Sequence, residues 1–354
     1  MEKTAANPFT LSFGEKPFQY VERAFASTES LVKDITSDPP LSRSFIISGV
    51  RGSGKTVYLT NVMNEMESVK DWVVIELNPE DDMREGLAAR LYSNAGLKHL
   101  FLEKEFGFSF QGLSFSIKGK NPILNIDDLL AKMFAKLKKE GRKVLVCVDE
   151  VCSSPNMKRF ILSFQILIRQ GFELIFLGTG LYENVSALEN EKNLTFLLRS
   201  PKIQLTTLPL PSIASSYLKT LGVGKDEAER LARETKGYAF AFQLLGYLLF
   251  RSQKRELSEE ILGQYDSYLA SYVYDKIWSS CSENDRKLLL SFPSNEGVDT
   301  KLVLANSKLN KDSFSTYRSR LLKKGVIASL GWGKLMLALP RFREFMDGRT
   351  TFDF

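Results

Sequence analysis

The sequence predicts an α/β fold: a three-layer, parallel-sheet core followed by a helical lid and a winged helix-turn-helix. Three observations predict it. Short apolar runs alternate with helical patterns between residues 45 and 205, the pattern turns all-helical after Pro209 and Pro211, and residues 282–354 read as three helices followed by a hairpin. Strands that alternate with helices require crossover connections, and these build parallel sheets covered on both faces.

The first strand is Phe45–Ser48. It runs into Gly49-Val50-Arg51-Gly52-Ser53-Gly54-Lys55-Thr56, and a helical pattern follows from about Thr56 to Met66. The eight residues fit G-x-x-x-x-G-K-[ST], the phosphate-cradling P-loop. At a strand-to-helix turn, backbone N–H groups and the helix dipole converge on an anion. Glycines let the backbone wrap it without Cβ clashes. Lys55 would reach the β- and γ-phosphates, and the Thr56 hydroxyl would ligate Mg²⁺. The alternative is a chance glycine-rich turn, against which the flanking strand and helix both argue. The core is therefore read as that of a P-loop NTPase.

Lys143-Val-Leu-Val-Cys-Val-Asp149-Glu150 describes a central strand with two acids at its C-terminal end, the edge where α/β sheets bind ligands. Asp149 would hold Mg²⁺ and Glu150 would polarise the attacking water as general base. By itself the pair could equally be a solvated turn. The next strand, Glu173–Gly180, ends near Thr179, whose hydroxyl either orients water against the γ-phosphate or belongs to a helix-cap or turn threonine.

Composition narrows the classes. Of 354 residues, 44% are apolar and 25% charged, an ordinary globular balance consistent with two or three domains. No run approaches the roughly 18 to 20 apolar residues that span a bilayer, and the N-terminus lacks a basic segment followed by an apolar core. The three cysteines, Cys147, Cys152 and Cys281, lack metal-ligand spacing. Such an odd set without a framework fits a reducing cytoplasm, where the chain is expected to reside. The one histidine, His99, cannot build a histidine-based metal site.

The remaining elements follow in order. A helix is expected near Tyr20–Ile35, a second strand at Trp72–Leu77, helices at about 84–94, 127–139 and 156–169, and a short last strand at Ile203–Leu205. Period-two alternation over 105–118 with Gln111-Gly112 at its centre predicts a β-hairpin. Beyond Pro211, helices at 212–221, 225–235, 240–251 and 266–279 form the lid and its exit. Ser282 caps a helix through Phe292, Asp299–Asn306 is a short second helix, and Asp312 caps a third that Gly325 stops. A hairpin around Gly331-Trp332-Gly333-Lys334 would be the wing. The third helix carries Thr316, Tyr317, Arg318, Arg320, Lys323 and Lys324, which with Lys334 suit a major-groove contact. Residues 282–354 hold 13 Lys/Arg and 8 Asp/Glu, so +5 of the chain's +6 charge lies here. Winged helices also dock proteins, so duplex DNA and a protein partner both stand as expectations.

With these pieces the chain resembles AAA+ ATPases, especially the group joining archaeal-type and origin-initiator ATPases with STAND signalling NTPases. The segment from Asn7-Pro8-Phe9 to Val21-Glu22-Arg23 resembles the family's adenine-side segment, with Glu22 where a glycine is usual. The resemblance implies a nucleotide-binding role for Arg23, a sensor role for Thr179, and an arginine finger at Arg199, for which a surface ion pair is the alternative. Thr235–Gly246 resembles the lid segment that reads Gly-x-Pro in STAND proteins, with Ala239 at the proline position. No arginine occurs in this helix before Arg251, so the family's second-sensor arginine has no counterpart, which favours a slow switch. ATP is favoured by the resemblance and by the absence of a guanine-selective Asn-Lys-x-Asp motif.

The expected organisation is a core over 1–206 with the hairpin inserted, a lid over 207–270 and a winged helix over 275–354. The expected function is an ATP- and Mg²⁺-dependent ATPase switch acting on double-stranded DNA, singly or as a homo-oligomer. The rival is a STAND-like signalling or defence ATPase whose winged helix docks on protein.

Overall fold

A computed structural model of the protein describes residues 6–12, 14–23, 25–101, 108–111, 114–117, 125–253 and 256–350. They fall into two compact units, one made of 28–48 and 58–203, the other of 1–27, 49–57 and 204–354.

The first unit is built on α1 (Thr28–Thr36), β1 (Ser44–Ser48), most of α2 (Lys55–Glu67), β2 (Trp72–Leu77), α3 (Met83–Ser93), α4 (Lys98–Phe101), β3 (Phe108–Gln111), β4 (Ser114–Ile117), α5 (Ile126–Lys139), β5 (Lys143–Val148), α6 (Pro155–Arg169), β6 (Leu174–Gly180), α7 (Tyr182–Glu189) and β7 (Lys202–Gln204). The sheet order is β2-β5-β6-β1-β7, and the β2–β5, β5–β6 and β6–β1 pairs are parallel. Side chains alternate across a strand. Val144, Val146 and Val148 share a cluster with Leu87, Leu130, Phe134, Phe160 and Phe164, whereas Leu145, Cys147, Ile175 and Leu177 point to the opposite face and are equally buried. Both faces are therefore covered, and the unit has three layers. Burial also pushes the Cys147 thiol far above its usual range, which makes it a small core side chain.

The helices start where their chemistry allows. The Asn125 side chain accepts from Asp127 N at 3.1 Å, Asp127 and Asp128 occupy the first turn of α5, and Lys136, Lys138 and Lys139 the last, a placement that suits the helix dipole. Ser154 caps α6 by accepting from Met157 N at 3.1 Å, with Pro155 in the first turn. β3 and β4 form the expected antiparallel hairpin, Phe108 facing Ile117 and Gln111 facing Ser114. Residues 105–107, 112–113 and 118 of that expectation lie outside the described residues.

The second unit contains α8 (Leu210–Leu221), α9 (Lys225–Glu234), α10 (Ala239–Ser252), α11 (Glu259–Leu269), a π turn (Ala270–Tyr274), α12 (Asp275–Ser279), α13 (Glu283–Leu290), β8 (Val298–Asp299), α14 (Thr300–Ser307), α15 (Lys311–Lys324), β9 (Ile327–Ser329), β10 (Lys334–Leu337) and α16 (Phe342–Thr350). β8, β10 and β9 form a small antiparallel sheet in that order. A single apolar cluster runs from Phe9 and Tyr217 through Phe242, Tyr265 and Tyr274 to Phe342 and Met346. Polar contacts reinforce it: Tyr274 Oη donates to Pro340 O, and Arg341 pairs with Asp266 and lies within 3.8 Å of Glu234 and 3.6 Å of Glu344. Among the described residues, no helix is long and apolar enough to cross a membrane.

Three expectations are corrected. The helix sought at 20–35 begins only at Thr28 and runs to Thr36, and Arg23, outside it, reaches Thr206 O and Ser53 O with its side chain. The helix sought at 266–279 begins at Glu259, where Ser258 caps it and Glu259 and Glu260 fill the first turn; its continuity passes through the π turn. Asn310 rather than Asp312 caps α15: its side chain accepts from Ser313 N at 2.8 Å, leaving Asp312 in the first turn. Gly325 closes α15 in the left-handed region, at φ 75°, as expected.

Ser282 and Asp285 form a reciprocal capping box at the start of α13. Asp285 is wholly buried, and Arg320 of α15 supplies its counter-ion, which in turn holds the guanidinium pKa up. Removing one partner of a buried pair leaves an uncompensated charge. Arg320→Ala is expected to cost about 2–3 kcal/mol, below the range for a fully buried pair because Arg320 keeps solvent access. Urea unfolding followed by circular dichroism measures it.

Candidate functional site

The C-terminal ends of β1, β6 and β5 lie at one edge of the sheet. Ser48 is in register with Gly180, and Val148 with Gly178. Asp149 and Glu150 leave the sheet here. Thr179 is fully buried, and its hydroxyl donates to the Asp149 carboxylate, while its carbonyl accepts from Val151 N at 2.7 Å. Glu150 N donates to Asp149 Oδ1 at 3.1 Å. The structure thus brings together the three residues expected at this edge and gives Thr179 the task of orienting Asp149. The helix-cap alternative for Thr179 fails, since Leu181 occupies the N-cap of α7. Glu150 is exposed and sits at φ 55°. A non-glycine residue in the left-handed region is uncommon and costs on the order of 1 kcal/mol or more. The chain turns sharply there and frees the Glu150 carboxylate from the strand line.

Ser48 passes directly into the glycine-rich loop. Gly52 and Gly54 have φ 75° and 85°. A Cβ at Gly52 would lie 2.1 Å from Tyr238 Oη, and one at Gly49 would lie 2.5 Å from Ser53 Oγ. Each carbonyl from 49 to 53 has a donor. Lys55 Nζ donates to Gly49 O at 3.1 Å and to Val50 O at 3.2 Å, and Ser53 N also reaches Val50 O at 3.1 Å. Tyr238 Oη donates to Arg51 O, Phe240 N donates to Gly52 O at 3.1 Å, and Arg23 donates to Ser53 O. A peptide plane is rigid, so fixing C=O of one residue turns N–H of the next the opposite way. The donors on Arg51, Gly52 and Ser53 carbonyls therefore fix the amides of Gly52, Ser53 and Gly54. The loop then enters α2 at Lys55, where a helix N-terminus favours negative charge. Ser53 Oγ is buried and, among the described residues, has no hydrogen-bond partner. An amide-lined turn with a buried orphan hydroxyl, a buried lysine and a following threonine fits a phosphate group.

Arg23 is 5% exposed, with Nε on Thr206 O at 3.1 Å and Nη2 on Ser53 O. Through these contacts it braces the loop whose residues are expected to bind nucleotide. Val50 and Thr56 are half-buried and Arg51 is exposed. Arg199 is exposed at the end of a 3-10 turn (Thr195–Arg199) and, among the described residues, has no ion-pair partner.

The seven basic-face candidates divide. Thr316, Lys323 and Lys334 are exposed and Arg318 is half-buried. Arg320 is committed to Asp285 and Ser282, Lys324 is buried against Ser280 O at 3.5 Å, and Tyr317 accepts from Asn284 at 3.0 Å under the Arg320 guanidinium. The buried acid of the capping box explains this: it requires a cation from the neighbouring helix, and the Ser-x-x-Asp spacing at 282–285 is its signature in the sequence. Tyr238 and the Phe240 amide were not expected at the loop. Their only signal was an aromatic beside Gly237 in the lid segment.

A family model described as a domain of unknown function (DUF8462) matches residues 271–346. No curated protein matches the chain. The chain is similar in structure to the Walker-type ATPase PABY2304 of Pyrococcus abyssi, at 13% identity and a TM-score of 0.62, covering 92% of this chain and 98% of that one. It is also similar to the ORC2 protein of Aeropyrum pernix, described in ADPNP and ADP complexes, at 16% identity and a TM-score of 0.55, covering 93% and 95%. The chain shares the fold of these two structures, a parallel sheet covered by helices with a helical C-terminal region.

Gly52→Ala is expected to strain φ and collide with Tyr238 at once, since a methyl group has no room at 2.1 Å. A loss of about 2 kcal/mol or more, seen as a lowered Tm in calorimetry, checks it.

Proposed function

We propose that the protein is an ATP-binding and ATP-hydrolysing switch whose nucleotide state controls its C-terminal region, residues 275–354. The observation that carries this reading is the outward fixing of the 49–53 carbonyls, which leaves an amide-lined phosphate cradle at a helix N-terminus. Similarity over more than nine-tenths of the chain to a Walker-type ATPase and to a protein described in ADPNP and ADP complexes supports it at the level of fold.

Residues 49–54 cradle the β- and γ-phosphates of ATP and Lys55 neutralises their charge. Thr56 and Asp149 are the residues that would hold Mg²⁺, which when bound draws charge from the phosphates and fixes their orientation. Thr179 keeps Asp149 in one orientation by donating a hydrogen bond to it. Glu150, exposed and turned out of the strand, accepts a proton from the attacking water. Arg199, exposed and without an ion-pair partner among the described residues, supplies positive charge to a neighbouring copy's γ-phosphate in a homo-oligomer. Lys55→Ala is expected to weaken Mg·ATP binding by about a hundredfold, the loss of a charge-assisted contact, and isothermal titration calorimetry measures it. Unchanged affinity would remove the site assignment. Glu150→Gln is expected to bind ATP normally and release phosphate at least about a hundredfold more slowly in single-turnover assays.

The C-terminal region is read as a winged helix that contacts duplex DNA. Three helices followed by a hairpin support this, as do the +5 charge of residues 282–354 and exposed Thr316, Lys323 and Lys334. Binding of the full chain to duplex DNA should weaken with salt, and Lys323→Glu with Lys334→Glu should reduce the salt slope by about 2. Absence of salt-dependent binding rejects the DNA role. A second reading, a signalling or defence ATPase with a docked winged helix, is favoured by one contact: Gly325 lies against Val50 of the loop, a Cβ built there being 3.6 Å from Val50 Cβ. Nucleotide-dependent oligomer size without DNA affinity, read by light scattering, selects it.

A further inference from the structure

The lid segment Thr235–Phe240 makes two sets of contacts on opposite sides of one turn. Lys236 Nζ donates to Asn295 O at 2.7 Å and to Leu337 O at 3.1 Å. Two residues on, Tyr238 Oη donates to Arg51 O, and Phe240 N donates to Gly52 O at 3.1 Å. The first pair of acceptors belongs to the C-terminal region, since Leu337 is on β10 and Asn295 is tied to α16 by its bonds from Arg343 N at 3.0 Å and to Glu344 at 2.6 Å. The second pair belongs to the glycine-rich loop.

The turn between them is stiff. Lys236 and Gly237 are both left-handed, at φ 48° and 73°. Thr235 is fully buried, its hydroxyl donates to Ala232 O at 2.7 Å, and Gly237 N donates back to it at 3.1 Å. Leu208 N donates to Gly237 O at 2.7 Å, and a Cβ on Gly237 would stand 2.5 Å from Leu208 O. A side chain at 237 would displace the Leu208 backbone, so the close pairing of the two segments depends on glycine. Tyr238 is buried and its phenol is held far above its usual pKa by that burial, so it acts as a neutral donor at any physiological pH. A movement of the Arg51 or Gly52 peptide must therefore either break these bonds or carry the turn, and with it Lys236.

We propose that residues 235–240 couple the phosphate loop to the C-terminal region, with Tyr238 positioning the loop's amides and Lys236 holding the Asn295 and Leu337 carbonyls, so that nucleotide affinity depends on a contact that touches no nucleotide. This rests on the reading of 49–56 as a phosphate site. Linkage is reciprocal: what nucleotide does to the seating of residues 295–337, that seating does to nucleotide affinity.

The test uses the full chain and Mg·ADP as probe, with affinity from calorimetry and amide hydrogen exchange over 326–339. Tyr238→Phe, which keeps the ring and removes one neutral donor, is expected to weaken ADP by about tenfold. Lys236→Met is expected to weaken it by about threefold to tenfold, and Lys236→Arg, which keeps the cation and its donors, to restore it to within about twofold. Arg230→Gln, which breaks the exposed Glu227 pair on the same lid, should leave affinity unchanged. Mg·ADP should alter exchange over 326–339 in the wild type and leave it unaltered in Tyr238→Phe. Wild-type affinity in Lys236→Met, or a nucleotide-dependent exchange change that survives Tyr238→Phe, overturns the coupling and leaves the phosphate site standing. A wild type that binds neither ADP nor ATP overturns both.

Discussion

The conformation of the 49–54 loop depends on donors that come from outside it. Within the loop, Ser53 N donates to Val50 O at 3.1 Å, and the other carbonyls are held by groups beyond residue 54 or from elsewhere in the chain. The carbonyls then carry the restraint, and peptide planarity converts their fixation into amide direction. Here Lys55, Tyr238, the Phe240 amide and Arg23 share that work. The two glycines at φ 75° and 85° make the path possible, yet they also make the loop soft, since glycine gains most freedom on unfolding. The surrounding donors offset that softness.

A comparable economy governs the sheet edge. The Asp149 carboxylate is oriented by a neutral hydroxyl from the neighbouring strand, which adds no competing charge. Parallel pairing sets the neighbour: Val148 lies beside Gly178, so the next residue on each strand brings Asp149 and Thr179 together. The following residue, Glu150, escapes that order through its left-handed backbone. Two adjacent acids thereby acquire different surroundings, one oriented by its neighbour and one open to water, which is the condition for dividing two chemical tasks between them.

In the C-terminal region much of the charge serves the fold. Arg320 neutralises the buried Asp285, Arg341 answers Asp266, and Lys324 is buried against a carbonyl. A count of basic residues therefore overstates the cationic surface available to a partner, because a buried acid needs a cation whatever the function. The reverse holds for the lid. It lacks an arginine before Arg251 in α10, and yet it engages the loop closely through a phenol and a backbone amide. Neither group changes charge, so this connection responds to geometry more than to electrostatics.

The sequence alone determined the class of fold, the loop at 49–56 and the acids at 149–150, and it did so for local reasons. Glycines at fixed spacing, a strand-to-helix switch and carboxylates ending an apolar run are properties of adjacent residues. Helix ends were legible where a cap lay next to its partner, as with Ser282 and Gly325, and were misjudged at Asn310 and Ser258, where a second plausible start stood nearby. Tertiary structure alone decided that Arg23 braces the loop, that Thr179 serves Asp149, that Arg320 and Lys324 turn inward, and that Tyr238 and Lys236 join the loop to residues 295–337. Each of these joins residues 30 to 187 positions apart. A motif records what neighbours in the chain can do, whereas such pairings exist only once packing has brought the partners within about 3 Å, the reach of a hydrogen bond.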